Sequence, residues 1–158
     1  MRTYADTSFI VKLLVLEDAA LNAVDLYRSI GRPSLYFTCL HNLEVSNALR
    51  LRTFYQRRSV PAPERAAVVR ERDEALGRLD KFIARRAFLD VAVNLESAFV
   101  RGRSLSERHT ERLGCRGFDL LHVALALELK AELFLSSDEN QIDLARAAGL
   151  EVKFSPWK

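Results

Sequence analysis

Short apolar runs alternate with longer amphipathic stretches along this chain, and that alternation sets its expected architecture. Thr3-Tyr4-Ala5, Leu35-Tyr36-Phe37, Phe88 to Val91, Leu133-Phe134-Leu135 and Glu151-Val152-Lys153-Phe154 read as five strands. Helical spacing is predicted over about 7–16, 18–30, 40–58, 64–86, 94–108, a stretch starting near Asp119, and 139–148. Punctuation agrees with these limits. Glu17-Asp18 stands before the second helix, Gly31-Arg32-Pro33 ends it, and Thr38 is placed to cap the third. Ser59-Val60-Pro61-Ala62-Pro63 is a turn between two helices, too short for a domain linker. Gly114-Cys115-Arg116-Gly117 is a loop, and Gly149 closes the last helix. Strands separated by helices imply a mostly parallel sheet covered on both faces, in an α/β fold.

Four carboxylates stand where apolar elements meet their boundaries. Asp6 ends the first strand, Asp138 follows Leu133 to Ser137, Asp119 opens an apolar helix, and Glu44 lies between Leu43 and Val45 in a helix. Asp6, Asp119 and Asp138 are each placed before a helical segment, where an Asp caps free N–H groups, and Glu44 alone reads equally as a surface acid. Ligands bind beyond the carboxyl ends of the strands of a parallel sheet, and Asp6 and Asp138 both fall there. Four acids in one site raise one another's pKa values unless a cation binds, and their hard oxygens suit Mg²⁺ or Mn²⁺ rather than zinc.

Composition narrows the class. The 158 residues, 49% hydrophobic and 28% charged, suit one soluble globular domain spanning 1–158. There is no apolar run of membrane-spanning length and no signal-peptide core, so no membrane partner and a cytoplasmic location are expected. Cys39 and Cys115 have no metal-binding spacing and read as packed or incidental thiols. The net charge of +3 is unevenly distributed: residues 50–86 hold eleven Lys/Arg against five Asp/Glu, and 101–116 hold five Arg against two Glu. The rest of the chain is net acidic and contains all four carboxylates. An acidic centre beside basic flanks suits a polyanionic partner, although a helix carrying Arg and Glu together also reads as a plain solvated face.

At these residues the chain resembles the PIN-domain family. Asp6-Thr7-Ser8 is similar to its opening motif, and Glu44 to its acid on the helix after the second strand. Asp119-Leu120-Leu121-His122-Val123-Ala124 resembles its third acidic motif. Ser136-Ser137-Asp138, followed by Gln141, resembles its fourth, with Ser136 where the family more often has Thr. The resemblance implies a three-layer α/β/α sandwich around a five-stranded sheet with a protruding helical pair. It implies Asp6, Glu44, Asp119 and Asp138 as metal ligands and catalytic residues, with Thr7, Ser8 and Ser136 supporting them. Among PIN proteins the short chain with an inserted helical pair resembles the VapC-type toxins. That implies a Mg²⁺/Mn²⁺-dependent endoribonuclease, commonly a homodimer, silenced by a cognate antitoxin. A catalytically silent RNA- or protein-binding PIN fold is the alternative.

Other residues are weighed against blander roles. Arg101, Arg103, Arg108, Arg112 and Arg116 are candidates for substrate phosphates. His122 reads as a packing histidine, His41 stands one helical turn before Glu44 and either packs or approaches the acids, and His109 reads as solvated in a loop. Leu43, Leu51, Phe54 and Tyr55 are either helix–helix core or a groove for a partner helix. A haloacid-dehalogenase-type phosphatase would need a second Asp two residues after Asp6, where Ser8 stands.

Overall fold

A computed structural model describes residues 1–15 and 21–155. Five strands, β1 (Thr3–Ala5), β2 (Leu35–Phe37), β3 (Phe88–Asp90), β4 (Leu133–Ser136) and β5 (Glu151–Phe154), form one sheet in the order β3-β2-β1-β4-β5. Every pairing is parallel, including Thr3 with Leu35 on one side of β1 and Thr3 with Leu133 on the other. The α-helices described are α1 (Thr7–Leu14), α2 (Leu21–Ser29), α3 (Cys39–Ser59), α4 (Arg65–Ala84), α5 (Leu95–Leu113), α6 (Gly117–Glu128) and α7 (Glu139–Ala147). The expected second-helix start at Glu17-Asp18 lies outside the described residues.

Side-chain alternation along the strands divides the interior into two cores. Ala5, Leu35, Phe37, Leu133 and Leu135 point to the face covered by α1 to α4, where Phe9, Val45, Leu49, Ala75 and Leu79 meet them. Tyr4 and Phe134 point the other way, against Ala98, Leu105, Leu125 and Leu144 of α5 to α7. The three-layer α/β/α arrangement therefore follows directly from a period-2 pattern in strands of three or four residues. Helices α3 and α4 form a hairpin through a 3-10 turn at Ala62–Glu64, as Pro61 and Pro63 suggested.

Two differences from the expected limits change where a named side chain sits. Helix α5 runs to Leu113 and ends on Gly114 in the left-handed conformation (φ 66°), which carries the half-buried His109 inside a helix and not in a loop. Helix α6 begins at Gly117, so Asp119 is its third residue and not a residue preceding it. A glycine and an exposed phenylalanine at positions 117 and 118 conceal that start.

Position follows from topology. The chain leaves β1 toward β2 and β3, then returns to place β4 on the opposite side, so the switch point lies between β1 and β4. Their carboxyl ends present Asp6 and Asp138 at the crevice where ligands bind in such sheets.

Candidate active site

Asp6 follows β1 and caps α1. Its Oδ1 accepts from the Phe9 N–H at 2.9 Å and the Ser8 hydroxyl at 2.7 Å, while Oδ2 accepts from the Ser136 hydroxyl at 2.6 Å. The residue is 2% exposed. Burial pushes its carboxyl pKa up, against the opposing charge of His122 and the hydrogen bonds from Ser136, Phe9 and Ser8.

Asp138 caps α7, accepting from the Asn140 N–H at 2.9 Å and, more distantly, the Gln141 N–H at 3.4 Å. Its own N–H donates to Ser136 Oγ at 2.8 Å. Ser136, fully buried at the end of β4, thus links Asp6 to Asp138 through one hydroxyl. Both Asp residues occupy the helix starts assigned to them from sequence. Capping and convergence on one edge are therefore features of the same side chains.

Asp119 reaches back to accept from the Arg116 N–H at 2.9 Å, and its other oxygen accepts from Gln141 Nε2 at 3.1 Å. Gln141 is 4% exposed, and its Oε1 has no partner among the described residues. It ties Asp119 on α6 to the Asp138 cap on α7. A buried acceptor left open at this point is unusual, because such oxygens are costly to bury unsatisfied.

Glu44 enters from α3. Its Oε2 accepts from the Thr7 hydroxyl at 2.8 Å and lies 2.5 Å from His122 Nε2. An ionised carboxylate only accepts, so Nε2 donates to Glu44, and the Tyr4 hydroxyl lies 2.9 Å from Nδ1. Burial works to raise the Glu44 carboxyl, but the hydrogen bond and charge of His122, with Thr7, outweigh it and leave the pKa below its usual range. His41 is buried one turn earlier in α3. Its Nδ1 accepts from the Thr38 N–H at 3.0 Å, and its Nε2 donates to the Ala5 carbonyl at 2.8 Å. It anchors α3 to the residue preceding Asp6, and burial pushes its pKa well down.

His122 is the residue that sequence reasoning undervalued. It is buried, as a packing histidine would be, yet it also holds an acid. Its signal was the i, i+3 spacing from Asp119, while its partner lies 78 positions away on another element. Gln141 belongs in sequence to the motif around Asp138, and its link to Asp119 exists only in the fold.

The four acids are connected through single intermediaries: Ser136 between Asp6 and Asp138, Gln141 between Asp138 and Asp119, and Thr7 between the Asp6 turn and Glu44. Among the described residues, no group of three or more His, Cys, Asp or Glu side chains is arranged to hold a metal ion. The donor chemistry nevertheless fits a hard divalent cation. Carboxylate and hydroxyl oxygens dominate the crevice, and a buried carboxylate with a raised pKa is one that a cation stabilises.

The candidate arginines separate. Arg103 and Arg116 line a groove of about 680 Å³ shared with Glu44 and Asp119. Arg101 pairs with Glu128 at 2.5 Å, and Arg108, which donates to the Ser104 carbonyl at 3.1 Å, lines a different groove with it. Arg112 is exposed near the end of α5. Leu43, Leu51, Phe54 and Tyr55 are all exposed, while Val45 and Leu49 fill the core between them. The four are therefore not helix–helix core.

A family model described as PIN domain matches residues 3–148. The fold is similar to that in the crystal structure of FitAcB from Neisseria gonorrhoeae, with a TM-score of 0.62 over 98% of each chain at 17% identity. No curated protein sequence matches significantly. No helix among the described residues is long and apolar enough to cross a membrane. The matched region takes in β1 to β4 and all four acids, and the chain belongs to the PIN domain family.

Proposed function

We propose that this protein is a Mg²⁺/Mn²⁺-dependent endoribonuclease and the toxin of a two-component toxin–antitoxin system. The observation that carries the reading is the juxtaposition of Asp6 and Asp138 at the ends of two adjacent central strands, bridged by Ser136, with Glu44 and Asp119 delivered by α3 and α6. PIN domains are generally nucleases, and they typically use divalent metals.

Asp6, Glu44, Asp119 and Asp138 would hold the metal, and Thr7, Ser8 and Ser136 orient the first two acids and the Asp138 turn. A bound divalent cation supplies activation of water and neutralisation of charge on the phosphodiester. His122 holds Glu44 ionised and fixed through its Nε2–H, and Tyr4 fixes the ring. Arg103 and Arg116 offer positive charge to the substrate backbone beside Glu44 and Asp119. Attack by water adds OH to phosphorus and returns a proton to the leaving oxygen, giving a 5′-phosphate and a 3′-hydroxyl.

The test is mapping of cleavage ends in total RNA with wild type beside Asp6→Asn. Cleavage with 5′-phosphate ends, lost in the variant and in EDTA, is expected. A 2′,3′-cyclic phosphate product, or full activity in Asp6→Asn or Asp119→Asn, refutes the assignment.

A second reading, a PIN fold that binds RNA or protein without cutting, is favoured by one observation: among the described residues no three acids are grouped to hold a metal ion. Mg²⁺ titration followed by incubation with RNA separates the two, since the silent fold binds without producing ends. The exposed Leu43, Leu51, Phe54 and Tyr55 on α3 support an antitoxin partner, whose helix would cover them. Purification from the native operon as an isolated monomer refutes both that partner and the homodimer that the reading includes.

A further inference from the structure

The groove beside the acids contains two phenylalanines that the fold does not require there. Phe99 of α5 is 62% exposed and Phe118 of α6 is 55% exposed. Their neighbours Ala98, Leu120 and Leu121 fill the core between the same helices. The groove lined by both rings, Arg103 and Arg116 opens onto Glu44 and Asp119, and its volume of about 680 Å³ is that of a small-ligand site.

The geometry points to a nucleobase subsite: the groove takes an unpaired base of a single-stranded RNA, stacked on Phe99 or Phe118, with adjoining phosphates on Arg103 and Arg116. This inference rests on the ribonuclease reading of the acid centre and adds what contacts the substrate next to it. Three features favour a nucleotide over an apolar partner helix. Aromatic rings and guanidinium planes both stack on bases, so the lining combines the two side-chain types that single-stranded recognition uses. Arg116, and Arg103 beside its Glu107 partner at 3.1 Å, match the charge of a phosphodiester backbone, whereas an apolar helix seated here would desolvate Arg116 and offer it no charge. The groove also shares Glu44 and Asp119 with the acid centre, so a base held on the rings lies in the same groove as two of the four acids.

The test uses full-length protein in EDTA, so that binding is read without cleavage. Fluorescence anisotropy compares wild type with a Phe99→Leu/Phe118→Leu double variant on a labelled single-stranded oligoribonucleotide of mixed sequence and on an abasic oligonucleotide of equal length. Loss of stacking is expected to weaken binding of the base-bearing strand about 5- to 100-fold. Binding of the abasic strand stays unchanged, and Phe118→Trp retains wild-type affinity. Circular dichroism melting confirms that the variants are folded. Equal affinity of wild type and the double variant for the base-bearing strand overturns the subsite. So does loss of a co-purifying protein partner with RNA binding intact, which makes the groove a protein interface. Cleavage of total RNA by wild type in Mg²⁺ is measured in parallel. Base-dependent binding without cleavage refutes the nuclease reading and leaves the subsite standing, while cleavage with phenylalanine-independent binding does the reverse.

Discussion

Asp138 holds a helix and belongs to the proposed catalytic site, and the two roles separate by substitution. Its carboxylate makes one good bond to the Asn140 N–H at 2.9 Å and a long one to the Gln141 N–H at 3.4 Å, so it satisfies about one orphan donor of α7. Removing such a cap costs about 1 kcal/mol, and removing a negative charge from a helix start costs about 0.5 kcal/mol more. Asp138→Ala should therefore lose about 1.5 kcal/mol, or roughly 3–6 °C in melting temperature for a chain of this size. Asp138→Asn keeps the acceptor oxygen and loses only the charge, so it should melt within about 2 °C of wild type. Neither variant should cut RNA. Metal linkage supplies a second readout: Mg²⁺ at about 100 times its dissociation constant stabilises the folded state by about 2.7 kcal/mol. Wild type should show that gain, and Asp138→Asn should show much less. The assay is thermal melting in EDTA and in Mg²⁺, with RNA cleavage measured on the same samples. Asp138→Ala melting like wild type would refute the cap, and Asp138→Asn cutting at the wild-type rate would refute the site role.

Asp6→Asn should stabilise the metal-free protein at neutral pH. Burial raises the native carboxyl pKa above 3.8, so folding loses stability as pH rises from 3.8 through the native value, and the variant lacks that loss. Urea melts at pH 3 and pH 7 check it, and an unchanged difference between the two sinks the argument. Glu44 behaves oppositely: its native pKa lies below 4.5, so its contribution is present above pH 4.5 and disappears as pH falls through the native value. In His122→Ala the Glu44 carboxyl should titrate higher by NMR, because burial remains after its main partner is removed; an unmoved titration contradicts that pairing. Gly149→Ala should cost about 1–2 kcal/mol, since φ there is +88°, and a melting temperature equal to wild type counts against it.

Much of this was legible in the chain because the relevant signals are local. A three-residue apolar run followed by Asp and a helical period places Asp6 at a strand end without knowledge of neighbours, and Ser136-Ser137-Asp138 does the same. What escaped reading depends on contacts between distant elements. The tail of α5 from Glu107 to Arg112 is polar and lacks an apolar stripe, so its helical continuation to Leu113 could not be told from a loop. Asp119 was placed at a helix start, but Gly117 and Phe118 already belong to α6. His122 on an apolar helix has the pattern of packing, and only the approach of α3 gives it an acid to hold. Whether Leu43 and Tyr55 face a neighbour or solvent is also undetermined by periodicity, because it depends on where α4 lies.

The central strand has a consequence for the order in which the proposed site can form. Strand β1 is made before the other four, but the hydroxyl that steadies the acid after it lies 130 residues later, on β4. A nascent chain interrupted before that point has Asp6 without Ser136 or Asp138, and its middle strand lacks one of its two neighbours. The proposed site therefore assembles only once β4 and the cap of α7 have been made. A chain truncated before Ser136 lacks the proposed centre, however well its first three strands pair.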